Sequence, residues 1–341
     1  MRIGVLTSGG DAPGLNSVIR AVVVKAASYS HKVIGFKNGW KGLINNDFFE
    51  LDRDFVEEIQ YVGGTVLGSS RENPLLSEET VQKCFDTFKI NQLDALVAIG
   101  GDDTIGVADA FFKRGMPIVG VPKTIDNDLS CTDYTFGFDT AINIATESLD
   151  RLRTTAKSHS RVMVVEMMGR EAGWITLKAG IAGGANFILI PEVPFDIDEI
   201  CDMIRQRAKR ERYFSLIAVA EGAKPHDYDE IVESHERDGF GHIRLGGIGK
   251  FLAHEIEKRT GIETRVTVLG YLQRGGTPTA FDRSLATIFG VRAVDMIECR
   301  DFGKMVALQG TKIVPVPLES AVSQPKLVGF DDYQLAKSFF G

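Results

Sequence analysis

Two polar stretches in the middle of the chain carry side chains suited to phosphoryl transfer. Gly-Gly-Asp-Asp-Thr at 100–104 follows one apolar run, and Lys-Thr-Ile-Asp-Asn-Asp at 123–128 follows the next. Carboxylates beside a lysine are typical of sites where Mg²⁺ offsets like-charge repulsion and bridges phosphate oxygens. The alternative interpretation of the second stretch is a solvated turn that caps a helix.

The apolar runs indicate how these stretches are positioned. Residues 94–99 and 118–121 are short, partly β-branched runs that predict buried parallel strands, the second ending at Pro122. Apolar residues at helical spacing after 104 predict a strand-to-helix turn, which presents N–H groups to an anion. Because ligands bind beyond the carboxyl ends of parallel strands, both stretches should face one crevice.

A second glycine turn lies at the start of the chain. Residues 3–7 predict a strand, residues 8–14 a glycine-rich turn, and apolar residues from Leu15 onward a helix. Without a side chain, the backbone of such a turn lets a phosphate approach closely. A small-residue loop at 63–71 ends in Arg71, and arginine suits the charge that develops on a transferring phosphoryl group.

The second half of the chain supplies further cations. Met-Gly-Arg at 168–170 and Glu221 each follow a predicted strand. Residues 265–274 predict an apolar strand with Arg265 and Arg274 at its two ends. These two guanidinium groups and the phenol of Tyr271 suit a phosphate monoester. The polar segment 222–247 is predicted to be either a mobile segment near the predicted crevice or a surface loop.

Length and composition limit the class of protein. The 341 residues suggest two α/β domains, and 44% hydrophobic and 25% charged residues are ordinary for a globular protein. The net charge of −7 offers no basic face for nucleic acid. Four scattered cysteines, no signal peptide and no apolar run near about 18 residues predict a cytoplasmic protein without a membrane segment.

Four motifs together resemble the 6-phosphofructokinase family, in matching order from the first strand to about residue 300. They are the stretches at 100–104, 122–128, 168–170 and 273–276. The resemblance implies two Rossmann-like α/β/α domains with a cleft between them. The phosphoryl-donor domain would comprise 1–137 plus about 273–322, and the sugar-phosphate domain about 138–272 plus 323–341.

The resemblance, with the residue chemistry above, assigns roles to individual residues. The catalytic residues would be Asp126, Arg170, Thr124 and Asp128, with Asp126 as the base and Asp102 as the Mg²⁺ ligand. The donor would contact Gly10, Arg71, Gly101, Asp103, Thr104 and Lys123. The sugar phosphate would contact Thr124, Asp126, Arg161, Met168, Gly169, Arg170, Glu221, Arg265, Tyr271 and Arg274. Arg161 and Arg265 would act across a subunit interface in a homo-oligomer, with dimer and tetramer both open.

Asp103 predicts the phosphoryl donor. In ATP-dependent relatives the matching position is usually glycine, which leaves room for the α-phosphate of the nucleotide. An aspartate adds bulk and negative charge there, and Lys123 places a cation beside the donor. Both residues resemble the pyrophosphate-dependent subgroup. The expected reaction is Mg²⁺-dependent reversible transfer from pyrophosphate to fructose 6-phosphate, in glycolysis or gluconeogenesis.

Two alternatives remain. The first is an ATP-dependent 6-phosphofructokinase, because the replacement of another common glycine by Lys123 also occurs in some ATP-dependent members. The second is a non-catalytic sugar-phosphate sensor or regulatory subunit, which would be expected to have lost Asp102 or Asp126.

Overall fold

The computed structural model describes residues 1–226, 232–237 and 239–341, with the backbone alone at 232–237 and 243–244. The chain folds into two compact units, each defined by residues that contact one another closely. Neither unit is continuous in sequence. Unit 1 contains Met1–Thr140, Asp238–His242 and Arg274–Pro325. Unit 2 contains Ala141–Arg237, Ile243–Gln273 and Lys326–Gly341.

The strands are numbered in chain order. They are β1 Arg2–Thr7, β2 Lys32–Phe36, β3 Phe48–Leu51, β4 Ala95–Gly100, β5 Ile118–Thr124, β6 Phe136–Gly137, β7 Val162–Met167, β8 Phe187–Leu189, β9 Ser215–Ala220, β10 Val232–Arg237, β11 Ile243–Leu245, β12 Thr264–Val268, β13 Lys304–Gln309 and β14 Lys312–Pro317.

The helices are α1 Leu15–Ser28, α2 Trp40–Asn45, α3 Arg53–Val56, α4 Glu78–Ile90, α5 Asp102–Lys113, α6 Phe138–His159, α7 Trp174–Ala182, α8 Ile197–Lys209, α9 Ile248–Thr260, α10 Ala280–Glu298, α11 Leu318–Ala321 and α12 Phe330–Lys337. Two 3₁₀ turns lie at Pro74–Leu76 and Gly270–Arg274.

Unit 1 is built on a sheet in the order β14-β13-β5-β4-β1-β2-β3, with β6 paired to β5. The central strands are parallel, while β3 and β14 pair antiparallel at the two edges. Unit 2 contains a parallel sheet in the order β12-β7-β9-β8. Parallel strands connected by helices confirm the predicted α/β fold class.

The core of unit 1 lies on both faces of its sheet. Alternate residues of β4 point to opposite sides, so Val97 packs in the cluster with α1 and α10, and Leu96 in the cluster with Trp40. Helices α1 and α10 approach closely because Gly290 has no side chain; a Cβ there would lie 2.7 Å from the Cβ of Ala21. This three-layer packing holds the carboxyl ends of β1, β4 and β5 in fixed positions.

Two strand predictions were wrong at their ends. Strand β5 continues through Pro122 to Thr124 because Pro122 pairs with Gly100, the last residue of β4, and β6 takes over the pairing at Lys123. Strand β12 ends at Val268 instead of reaching Arg274, and the chain continues as a 3₁₀ turn. Lys123 and Thr124 therefore lie on a strand, not in a loop.

The polar segment 222–247 forms an unpredicted hairpin. Strands β10 and β11 pair antiparallel within it. Residues 227–231 and 238 of this segment lie outside the described part of the chain. The described residues 239–242, between the two strands, belong to unit 1.

A buried carboxylate joins the starts of α6 and α10. Asp282 is fully buried, and its Oδ2 accepts hydrogen bonds from the Thr140 N–H at 2.8 Å and from the Thr140 hydroxyl at 2.6 Å. Burial raises the pKa of Asp282 to about 6, against the lowering effect of the Thr140 hydrogen bonds.

No helix in the described ranges combines the length and apolar character needed to cross a membrane.

Candidate active site

The glycine turn after β1 lies against the ends of β4 and β5 in unit 1. Gly9 has a φ of 81°, and a Cβ on it would lie 3.6 Å from Nζ of Lys123 and 3.8 Å from Oγ1 of Thr104. The buried Lys123 ammonium donates to the carbonyl of Gly10. Three predicted donor residues, Gly10, Thr104 and Lys123, therefore lie together.

The turn after β4 is shaped by close packing. A Cβ on Gly100 would lie 2.2 Å from Oγ1 of Thr104, so a side chain is excluded there. Gly101 precedes α5, whose first turn carries Asp102 and Asp103. Carboxylates in this first turn are favoured by the helix dipole. The predicted strand-to-helix turn is confirmed.

Asp103 has a partner that the sequence analysis did not identify. Nε2 of His242 lies 3.0 and 3.1 Å from the two carboxylate oxygens of Asp103. His242 follows β10 in the chain and shows no motif spacing that would have indicated this contact. Asp102, Asp103 and His242 each offer one ligand atom, and these atoms lie within 4.8 Å of one another.

The loop after β5 holds Asp126 in a buried position. The N–H of Asp126 donates to Oγ1 of Thr124 at 3.0 Å, and no described residue donates to Oδ1 of Asp126. A buried carboxylate oxygen without a donor is uncommon in proteins, and its lone pairs can accept a hydrogen bond from a ligand.

Asn127 determines the shape of this loop. Its φ is 56°, a left-handed conformation that asparagine tolerates, and its Oδ1 accepts from the Thr135 N–H at 3.0 Å. In an extended loop, the side chains of Asp126 and Asp128, two residues apart, would lie on the same side. Because Asn127 is left-handed, the loop is not extended there and this alternation does not hold.

The residues that could hold Mg²⁺ have the right chemistry. Mg²⁺ prefers oxygen ligands, and Asp102 and Asp126 both provide carboxylate oxygens. The imidazole nitrogen of His242 suits Mg²⁺ less well.

In unit 2, Glu221 holds the backbone of the Met-Gly-Arg turn. Its Oε1 accepts from the N–H groups of Gly169 at 3.2 Å and Arg170 at 3.0 Å. Oε1 of Gln273 accepts from the Met168 N–H at 2.9 Å. Gln273 is therefore a further positioning residue, and its place in the 273–276 motif was the signal for it.

Arg161 and Arg265 meet at one carboxylate of unit 2. Nε of Arg161 lies 2.6 Å from Oε2 of Glu263, and Arg265 pairs with the other oxygen of Glu263. Arg161 lowers the pKa of the Glu263 carboxyl by hydrogen bonding and charge. Two guanidinium groups therefore lie side by side.

The 3₁₀ turn after β12 carries Tyr271 and ends at Arg274. Tyr271 is 70% exposed, whereas Arg274 is 7% exposed and donates to the carbonyl of Asp11 at 3.1 Å. A Cβ on Gly10 would lie 2.6 Å from Nη1 of Arg274. The guanidinium thus packs on the glycine turn of unit 1.

The predicted site residues divide between the two units. Unit 1 contains Gly10, Arg71, Gly101, Asp102, Asp103, Thr104, Lys123, Thr124, Asp126, Asp128 and Arg274. Unit 2 contains Arg161, Met168, Gly169, Arg170, Glu221, Arg265 and Tyr271.

Residues 2–297 match the family model described as Phosphofructokinase. The chain belongs to the phosphofructokinase family. It is 55% identical over 342 residues to the pyrophosphate–fructose 6-phosphate 1-phosphotransferase of Amycolatopsis methanolica, with both chains covered in full. It is 51% identical over 329 residues to the ATP-dependent 6-phosphofructokinase 3 of Streptomyces coelicolor, covering 96% of each chain.

The fold matches solved phosphofructokinases. The T-state crystal structure of Pichia pastoris phosphofructokinase aligns with a TM-score of 0.85 and 31% identity over 99% of this chain. The alignment covers 36% of the Pichia chain, so this protein spans about a third of that one. The similarity supports the predicted phosphofructokinase fold.

Proposed function

We propose that the chain catalyses the Mg²⁺-dependent, reversible transfer of a phosphoryl group from pyrophosphate to the 1-hydroxyl of D-fructose 6-phosphate. The products are fructose 1,6-bisphosphate and phosphate. Because the free energies of hydrolysis of the anhydride consumed and of the ester formed are comparable, the reaction lies near equilibrium and serves glycolysis or gluconeogenesis. The names of the relatives support this function. Relatives named for pyrophosphate and relatives named for ATP are similarly identical to this chain, so the choice of donor is argued from the residues of the site.

Asp103 is the observation that supports pyrophosphate as the donor. It lies in the first turn of α5, beside the glycine turn that would receive a phosphate. Its carboxylate adds bulk and negative charge where the α-phosphate of ATP would lie, whereas pyrophosphate has no group there. Lys123 supplies a cation for the free end of pyrophosphate. Gly10, Gly101, Thr104 and Arg71 complete the donor site.

Asp126 acts as the base that takes the proton from the sugar 1-hydroxyl. Its buried Oδ1, to which no described residue donates, can accept a hydrogen bond from that hydroxyl. A carboxylate is a weak base, but the transition state of phosphoryl transfer is loose and requires little basicity. Thr124 fixes the Asp126 backbone, Asp128 orients the base or the metal, and Arg170 stabilises the charge on the transferring group.

Asp102 is the proposed Mg²⁺ ligand. Bound Mg²⁺ supplies positive charge that offsets the repulsion between the phosphate oxygens and these carboxylates. The first turn of α5 keeps Asp102 in place.

The sugar phosphate is held mainly by residues of unit 2. Glu221, Met168 and Gly169 contact the sugar, and Arg274 and Tyr271 hold the 6-phosphate. Glu263 holds Arg161 and Arg265 together, and we assign both to the 6-phosphate bound by a neighbouring subunit. The active site is then complete only in a homo-oligomer, a dimer or a tetramer. Four free cysteines support a cytoplasmic location.

The decisive experiment compares the two donors directly. Bisphosphate formation from fructose 6-phosphate and Mg²⁺ is measured with pyrophosphate and with ATP, and we expect turnover with pyrophosphate alone. Turnover with ATP alone would show that the site tolerates Asp103 and would refute the donor assignment. Turnover with neither donor would refute the assignment of this enzymatic activity to the chain.

Two substitutions at Asp103 separate size from charge. Asp103→Gly removes both, and Asp103→Asn removes only the charge. ATP use by the glycine variant alone would indicate a steric block, and ATP use by both would indicate electrostatic exclusion.

A further inference from the structure

The segment Gly239–His242 belongs to unit 1, although the strands on either side of it belong to unit 2. Phe240 packs against the unit 1 core cluster that contains Trp40 and Phe111. Gly241 has a φ of 89°, a left-handed conformation that glycine adopts readily. The segment is therefore fixed on unit 1 by an aromatic anchor.

This segment touches two residues of the proposed donor site. A Cβ on Gly239 would lie 2.6 Å from the carbonyl oxygen of Arg71, so its backbone runs directly over that of Arg71. Three residues later, Nε2 of His242 lies 3.0 and 3.1 Å from the oxygens of Asp103. One short segment thus connects Arg71 with Asp103.

The chemistry of His242 and Asp103 defines which of them donates the hydrogen bond. An ionised carboxylate only accepts hydrogen bonds, so Nε2 of His242 carries the hydrogen and donates. With one donor placed almost equally between two oxygens, the Asp103 carboxylate is held in a single orientation. The side chains of His242 and Asp103 are 38% and 22% exposed, so solvent competes only partly for this bond.

We infer that His242 is a specificity-determining positioning residue, which holds the Asp103 carboxylate where it excludes ATP and admits pyrophosphate. This inference rests on the proposed function. Without the imidazole, the Asp103 carboxylate can turn away from the position of the α-phosphate, so ATP is excluded less well. The carboxylate also loses the hydrogen bond from His242, so its negative charge repels pyrophosphate more strongly. Both effects lower the preference for pyrophosphate over ATP.

The test is a double-mutant cycle of His242→Ala and Asp103→Gly, with kcat and KM measured for pyrophosphate and for ATP. In the parent background, we expect His242→Ala to lower the pyrophosphate-to-ATP ratio of kcat/KM about tenfold, because a hydrogen bond to a charged group is lost. In the Asp103→Gly background the same substitution should leave the ratio within about twofold, since the residue through which it acts is absent.

Two further variants keep the test falsifiable. His242→Gln places an amide donor near the position of Nε2 and should restore most of the ratio. His254→Ala removes an exposed histidine of α9 in unit 2 and should behave as the parent. Thermal melts show whether His242→Ala folds. If it does not, His242→Asn replaces it, because the shorter side chain cannot place an amide donor at the position of Nε2.

The outcomes of the two proposals are distinguishable. The donor used by the parent enzyme tests the proposed function, and the coupling within the cycle tests His242. A ratio unchanged by His242→Ala, or an equal change in both backgrounds, would overturn the inference even if the parent uses pyrophosphate.

Discussion

The buried carboxylate of Asp282 makes a quantitative prediction about stability. Its pKa of about 6 in the folded chain lies roughly two units above the ordinary value of 3.8. Each unit corresponds to about 1.4 kcal/mol, so burying the charged form costs about 3 kcal/mol. The folded chain binds the proton more tightly, so this carboxyl lowers the free energy of unfolding as pH rises from about 4 to about 6.

The substitution Asp282→Asn removes this cost. The asparagine stays neutral at every pH, and its carbonyl oxygen can accept from Thr140 as Oδ2 does. Relative to the parent, we expect the variant to gain about 3 kcal/mol more at pH 8 than at pH 4. This corresponds to a difference in thermal midpoint of about 5 °C.

The measurement is a pair of thermal unfolding curves for each protein, at pH 4 and pH 8. Asp331→Asn, which removes an exposed aspartate from the first turn of α12, is the control for lost charge and should follow the parent. If Asp282→Asn also follows the parent at both pH values, burial does not perturb this carboxyl and the reasoning fails.

Three further substitutions test the site. Asp126→Asn should lower kcat by about 100-fold or more, with the KM for fructose 6-phosphate little changed, because a general base is lost; a loss below tenfold would argue against that role. Gly10→Ala places a Cβ 2.6 Å from Nη1 of Arg274, so we expect a rise of about tenfold in the same KM as the guanidinium moves; an unchanged KM would contradict this. Gly222→Ala places a Cβ 2.3 Å from the backbone oxygen of Arg170 and should destabilise the chain by about 1–3 kcal/mol, measured by urea unfolding; a midpoint equal to the parent's would contradict it.

Local pattern predicted the elements that position the donor loops. The run at 94–99 and the helical spacing after Thr104 predicted β4 and α5, because a fully buried parallel strand and an amphipathic helix leave distinct periodicities. The predicted end of β5 at Pro122 was wrong because it followed the general rule that a proline ends a strand. Its pairing with Gly100 and the contribution of β6 are tertiary features that no local pattern reveals.

Long-range contacts were beyond prediction. His242 lies in a polar segment without periodicity, and only the folded chain brings it to Asp103. The orientation of the 126–128 loop likewise depends on Asn127 bonding to Thr135, a contact between two loop residues. By contrast, Gln273 lay in a quoted motif, and its bond to the Met168 backbone could have been proposed from that motif.

The division of the chain between the two units has a consequence for synthesis on the ribosome. In the sheet of unit 1, β5 pairs with β13, which joins Val119 to Lys304. Every residue of β7, α8 and β9 must leave the ribosome before this pairing can form. Until then β5 presents an unpaired edge of buried apolar residues, and such edges invite aggregation. Unit 1 should therefore complete its folding only after synthesis of the chain has passed β13. Any truncation before residue 309 should prevent that folding.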